Sequence, residues 1–77
     1  MNKIRRKRLD TVMAQLDEIC EELEDIRNEE EEALVNIPEN MWGSERASNM
    51  QEAVGNIDSA IGSVQEASEY IESVINE

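Results

Sequence analysis

The chain has 77 residues, with 19 acidic and 7 basic side chains, no histidine and a net charge of −12. This length accommodates one small domain, and the lack of histidine excludes a histidine-based metal site or proton shuttle. One Trp, one Tyr and no Phe give too little bulk for the core of a β-sandwich or an α/β enzyme.

An apolar pattern over residues 9–34 predicts a first helix from about residue 3 to residue 36. Its spacing alternates between three and four residues, which places the apolar side chains on one helical stripe. The stripe consists of Leu9, Val12, Leu16, Ile19, Leu23, Ile26 and Ala33, and is widened by Met13 and Cys20. Glu30 stands where a further leucine is due. Either the core thins towards the loop, or Glu30 reaches the edge of the stripe.

Residues 37–44 predict a loop. Pro38 disfavours helical geometry at the residue before it, so the first helix ends near Asn36. Gly43 ends a short turn, and Ser44 is a suitable N-cap for the next helix. Trp42 has two interpretations. It closes the end of the helical pair, or it forms a binding site for a partner together with Arg46, as exposed Trp and Arg often do.

A second apolar pattern predicts a helix over residues 45–76. Gly55 and Gly62 lie seven residues apart on it, and each costs roughly 1 kcal/mol relative to alanine in a helix interior. Three interpretations remain open: a close approach between helices, neutral sequence change that is tolerated on a solvent-exposed face, or a ligand that lies against the bare backbone.

Two long helices and a short loop predict an all-α fold, with residues 1–77 forming a single antiparallel helical hairpin. The apolar stripes are wider than one partner helix can cover. We therefore expect dimerisation into a four-helix bundle or a coiled-coil-like assembly. The predicted oligomer core consists of Leu9, Val12, Leu16, Ile19, Leu23, Ile26, Met50, Val54, Ile57, Ile61, Val64 and Ile71.

Residues 3–8 carry five basic side chains. The hairpin sets them beside the acidic end of the second helix. Basic side chains at a helix N-terminus and acidic ones at a C-terminus both interact unfavourably with the helix dipole, and here the two sets neutralise each other. Alternatively they form a site for phosphate, nucleic acid or an acidic partner, or they meet an anionic membrane. The candidate anion-binding residues are Lys3, Arg5, Arg6, Lys7, Ser44 and Arg46.

The remaining motifs give little support to catalysis. Cys20 and the serines have no histidine to activate them, and a helical hairpin offers no cleft for paired carboxylates. The acidic runs lack the spacing of a calcium loop. We expect no enzyme activity, no metal and no cofactor. The basic start has no apolar segment after it, and no apolar run is long enough to cross a membrane. We therefore expect a cytoplasmic protein without a membrane partner.

The stretch from Ile37 to Arg46, the segments Met50–Val54 and Asn56–Ile61, and the run from Asn2 to Asp10 resemble small acidic proteins. These are encoded by phages, prophages and mobile elements of Gram-positive gut bacteria. In that group an aromatic residue often follows the loop arginine, and here Ala47 occupies its place. The resemblance supplies a biological context and no mechanism.

The favoured function is a non-enzymatic interaction module that binds a host or viral protein, for example a counter-defence inhibitor that mimics DNA. Its net charge disfavours nucleic acid as a partner. The candidate binding residues are Trp42, Arg46, Asp17, Glu18, Glu21, Glu24, Asp25 and Glu31. One alternative is an oligomer that sequesters a nucleotide second messenger between protomers. Another is a minor structural or assembly component of a virion.

Overall fold

The computed structural model describes residues 1–77 as two antiparallel helices joined by a short loop. Helix α1 spans Lys3–Val35 and helix α2 spans Glu45–Ile75, with a 3-10 turn at Glu39–Met41 between them. The hairpin is thin, with extents of 59 × 15 × 13 Å. The predicted all-α hairpin is confirmed, and no strand is present.

Both long helices begin at a side-chain cap. Asn2 accepts a hydrogen bond from the backbone nitrogen of Arg5 at 2.8 Å. The hydroxyl of Ser44 accepts one from the backbone nitrogen of Ala47 at 3.2 Å. These bonds satisfy backbone donors that have no partner within the first turn of a helix. Ser44 thus acts as the predicted N-cap, and its oxygen is already engaged.

The two helices pack along one seam, whose members again alternate at three and four residues. The α1 seam and its extension into the loop consist of Leu9, Met13, Leu16, Cys20, Leu23, Arg27, Glu30, Leu34 and Ile37. The α2 seam consists of Ala47, Met50, Val54, Ile57, Ile61, Val64, Ser68, Ile71 and Ile75. Only Ala47 and Val54 are buried, and the other seam residues are half-buried. A single helical partner covers one side of a helix and leaves the rest in contact with solvent.

The seam becomes charged near the loop. Arg27 and Glu30 occupy consecutive seam positions, and both are half-buried. Glu30 therefore lies in the seam itself and interrupts its apolar series, although the two buried residues, Ala47 and Val54, lie at the loop end of the facing helix. Arg27 donates a hydrogen bond across to Asp58 of α2 at 2.9 Å and also pairs with Glu31 of α1.

These bonds identify the two sides of the hairpin. Glu31 directly follows a seam residue of α1, and Asp58 directly follows a seam residue of α2. Because Glu31 and Asp58 both contact Arg27, they lie on the same side of the hairpin. Residues seven positions away from either of them along the same helix lie on that side too. Val12 directly precedes the seam residue Met13, and Ala53 directly precedes the seam residue Val54, so these two lie together on the opposite side.

The glycines of α2 make no close approach to α1. A side-chain carbon built on Gly55 or Gly62 meets no atom within 4 Å, and both residues are exposed. The expectation of a close helix–helix approach within the hairpin is wrong, because these positions lie on the outer face of α2. The absence of a side chain at Gly55 and Gly62 therefore does not allow the two helices of the hairpin to pack more closely.

We expect Gly55→Ala and Gly62→Ala each to stabilise the protein, by roughly 0.5–1 kcal/mol, because alanine restricts the unfolded chain and fits the open space. Thermal unfolding followed by circular dichroism measures the effect. Gly43→Ala in the loop is the control, since it lies outside both helices. A lower melting temperature for either α2 variant would show that something packs on that backbone.

Candidate functional site

One side of the hairpin is apolar along both helices. We define the apolar flank as the residues on this side that adjoin the seam. They are Val12, Ile19, Ile26 and Ala33 of α1, and Ala53, Ala60, Ala67 and Val74 of α2. The three large α1 residues are 37%, 46% and 44% exposed, in chain order. The flank thus exposes aliphatic side chains in a continuous band.

The predicted oligomer core is divided by this geometry. Nine of its twelve residues lie in the seam within one chain. The remaining three, Val12, Ile19 and Ile26, lie on the apolar flank and are exposed. Heptad spacing placed the leucines (Leu9, Leu16, Leu23) and the β-branched residues (Val12, Ile19, Ile26) of α1 on one stripe. The hairpin packs the leucines into its own seam and leaves the β-branched residues on the surface.

The acidic candidate residues lie away from the apolar flank. We define the acidic face as Asp17, Glu18, Glu21, Glu24, Asp25 and Glu31 of α1. Five of these are exposed and Glu31 is half-buried, since it pairs with Arg27. Asp17, Glu21 and Glu24 are spaced by four and three residues, so their carboxylates follow one ridge at about one helical turn, roughly 5 Å, apart. The structure brings this set together as one surface.

The loop holds Trp42 by a specific contact. Its indole nitrogen donates to the backbone oxygen of Ile37 at 2.7 Å, and the residue remains 51% exposed. The indole therefore ties the end of α1 to the turn before α2. Half of the ring stays accessible, so the closing role and a contact with a partner are compatible.

The candidate anion-binding residues are split between the two ends of the molecule. Lys3, Arg5, Arg6 and Lys7 lie at the open end, whereas Ser44 and Arg46 lie at the loop end. Because the molecule is 59 Å long, one protomer does not bring them together.

The basic start of α1 meets the end of α2 through one residue. Arg6 donates to the backbone oxygen of Glu77 at 2.9 Å, which provides the predicted contact between the two unfavourable helix ends. Lys3, Arg5, Lys7 and Arg8 form no ion pair within 4.0 Å, since both such pairs in the structure involve Arg27. Four cations are thus free for other contacts.

A groove of about 460 Å³ lies at the open end. Its lining includes Arg5, Arg8, Leu9 and Val12, so it adjoins the apolar flank. Arg8 is not among the predicted anion-binding residues. Its spacing of three residues from Arg5 places the two side chains next to each other on the helix, and this spacing could have predicted its inclusion. The residues that line the groove are thus two arginines and the apolar Met1, Leu9 and Val12, together with Thr11.

Arg27 is a half-buried cation in the seam, and the sequence pattern alone did not indicate its role. The hydrogen bond that Asp58 accepts is the main cause that raises the pKa of Arg27 above its ordinary value, and the charges of Asp58 and Glu31 act in the same direction. Arginine is already charged at any physiological pH. The pair therefore acts by position: it links the helices where an apolar repeat alone would permit a slip of seven residues.

The other reactive groups are placed as follows. Cys20 is a free, half-buried thiol in the seam. No group of three or more acidic or cysteine side chains is arranged to hold a metal ion. Neither long helix contains an apolar stretch that could span a bilayer. Comparisons with protein-family models, curated proteins and solved structures gave no match.

We expect Asp58→Asn to lower the melting temperature relative to Asp25→Asn. Both variants remove one negative charge from the protein, so relief of general repulsion is common to both. Only the first removes the carboxylate that binds Arg27 across the helices. The difference should shrink in 1 M salt, where the screening length falls to about 3 Å. Equal melting temperatures at low salt would show that the pair adds nothing.

Proposed function

We propose that the chain is a non-enzymatic, self-associating interaction module that binds a basic protein surface through the acidic face of α1. The observation that carries this proposal is the separation of two surfaces on one thin hairpin. The acidic face is exposed on one side, and the apolar flank is exposed on the other. One surface is suited to a charged partner and the other to association.

The charge distribution supports a basic partner. The open half of the molecule, residues 1–20 with 63–77, carries five basic and seven acidic side chains, for a net charge of −2. The loop half, residues 21–62, carries two basic and twelve acidic side chains, for a net charge of −10. The attraction for a cationic surface is therefore concentrated in the loop half, where such a field also accelerates association.

The density of this charge is close to that of a nucleic-acid strand. Ten net charges distributed over half of the 59 Å length correspond to about one per 3 Å. One strand of DNA carries one charge per roughly 3.4 Å of helix axis. A rod of 15 × 13 Å in cross-section with this density suits a groove that otherwise accommodates nucleic acid. A counter-defence inhibitor of a phage or mobile element is one protein of this kind.

The loop provides a second contact region next to the acidic face. Trp42 is half-exposed on a turn that its own hydrogen bond holds in place. A rigid, amphipathic side chain loses little conformational freedom on binding. Arg46 lies in the first turn of α2, directly before the seam residue Ala47, and therefore on the side of the apolar flank. A partner bound along the loop half would meet both regions.

The test is capture of a binding protein from host cells by tagged variants of equal net charge. We expect Asp17→Lys, Glu21→Lys and Glu24→Lys together to abolish capture, because they reverse the ridge of the acidic face. The matched control is Glu52→Lys, Glu66→Lys and Glu69→Lys together, which makes the same charge change on exposed positions of α2.

Duplex DNA added in excess should displace the captured protein from the wild type if its site accommodates nucleic acid. Equal capture by both triple variants, or equal loss, would contradict a specific role for the acidic face. The emission of Trp42, the only tryptophan, reports whether the loop contacts the partner.

Sequestration of a nucleotide is a second candidate, favoured by the groove that Arg5 and Arg8 line. The groove borders the apolar flank, so an assembled oligomer would place it near the boundary between protomers. We expect a cyclic dinucleotide to raise the melting temperature of the wild type and not that of Arg5→Ala with Arg8→Ala. No shift for cyclic dinucleotides or ATP with the wild type would eliminate this candidate.

A further inference from the structure

The hairpin exposes more surface than a compact protein of its mass. Its accessible surface is 5912 Å², whereas a compact monomer of 8.8 kDa exposes about 4,800 Å². Its radius of gyration is 17.5 Å, against roughly 12 Å for a compact domain of this length. The excess of about 1,100 Å² is comparable to the ~800 Å² that each partner contributes to a stable interface.

The excess includes an apolar band of suitable length. The eight residues of the apolar flank are all aliphatic, and Arg46, which precedes the seam residue Ala47 on the same side, bounds the band at the loop end. From Val12 to Ala33 the α1 part extends for about 32 Å. On α2 three of the four residues are alanines, which allow another helix to approach closely. Continuous exposed aliphatic bands on soluble proteins mark interaction surfaces.

We propose that a second copy of this chain covers the apolar flank, stacked so that the open half of each hairpin lies on the loop half of the other. This inference rests on the self-association in the proposed function and specifies its surface and orientation. The product is an antiparallel four-helix bundle with its two-fold axis across the middle of the hairpins.

The uneven distribution of charge favours this orientation, because it reduces the repulsion between two net negative copies. If both loops lay at the same end, two halves of net charge −10 would face each other. In the opposed stack each −10 half faces a −2 half, which holds five of the seven basic side chains. The cations that lack an ion pair in the hairpin, including Arg5 and Arg8, then lie at the level of the partner's acidic run at residues 29–32. Like charges brought together across an interface disfavour the other orientation.

The parallel stack has one opposing advantage. It would place Ile19 and Ile26 of α1 over small alanines of the second copy's α2, which matches large side chains to small ones. This advantage concerns a few methyl groups, whereas the charge difference involves most ionised side chains of the protein. Four-helix bundles also accommodate layers of unequal side-chain volume when the helices differ in separation.

The same flank leaves the acidic face free in the dimer. The acidic face follows the opposite side of α1, so two copies stacked on their apolar flanks present their acidic faces outwards. A dimer of this kind offers two equivalent surfaces to partners. Self-association and partner binding thus use different residues and are separable by mutation.

The surface is tested by sedimentation of the full chain. We expect the wild type to form a dimer of twice 8.8 kDa. Ile19→Glu with Ile26→Glu should raise the dimer dissociation constant at least about 100-fold, because two unpaired carboxylates of each chain would be buried. Ala14→Glu with Asn28→Glu adds the same charge at exposed positions away from the flank and should leave the dimer intact.

The orientation is tested by the distance between spin labels on a Cys20→Ala, Asn40→Cys chain, which needs no disruptive substitution in the flank. The opposed stack predicts a separation on the order of 50 Å, close to the 59 Å length of the hairpin. A separation below about 25 Å, expected for helices packed 8–10 Å apart with both loops at one end, would overturn the orientation.

A dimer that tolerates the paired flank substitutions would overturn the proposed surface and leave self-association standing. A wild type that sediments as a monomer at 0.1 mM would overturn both. Partner capture through the acidic face is measured separately, so its failure is distinguishable from failure of the dimer.

Discussion

The seam between α1 and α2 is the constraint on which the rest of this structure depends. Two helices cover only one side of each other, so a chain that folds as a hairpin must leave most of its helical surface in water. Only Ala47 and Val54 are buried as a result. Every other property of the molecule follows from which residues remain on the two uncovered sides.

Those two sides differ in chemistry because the residues that flank the seam differ. On one side carboxylates follow the seam, and Arg27 bridges to Asp58 and Glu31 there. On the other side Val12, Ile19 and the α2 alanines adjoin the seam. An apolar side and an acidic side on one rod are two chemically distinct surfaces, and the proposed module rests on that difference. The two halves of the rod differ in net charge, so its two ends are electrostatically different.

The loop shows how a short segment sets this arrangement. Pro38 and the turn that follows it interrupt the helix, Trp42 bonds back to Ile37, and Ser44 starts α2. Each contact fixes the exit of one helix relative to the entry of the next. The seam then aligns along its full length, and the pair between Arg27 and Asp58 holds the register in the loop half of the molecule.

The sequence by itself determined the helices, their ends and the antiparallel pairing, because apolar spacing, a proline and an N-cap act locally. Predicted helices over about 3–36 and 45–76 lie within one residue of Lys3–Val35 and Glu45–Ile75. It also determined the acidic face, since Asp17, Glu21 and Glu24 share a ridge on any helix. Tertiary structure decided which apolar series fills the seam, because Leu9 and Val12 fit one stripe equally well.

Tertiary structure also decided where distant residues meet. It placed Arg46 at the opposite end from Lys3 and Arg5, and it left Gly55 and Gly62 facing open space. It set Arg27 against Asp58, 31 residues away. Periodicity specifies the face of one helix, but the relative rotation of two helices depends on the packing of both. That rotation alone turned two ambiguous stripes into a seam and an exposed apolar flank.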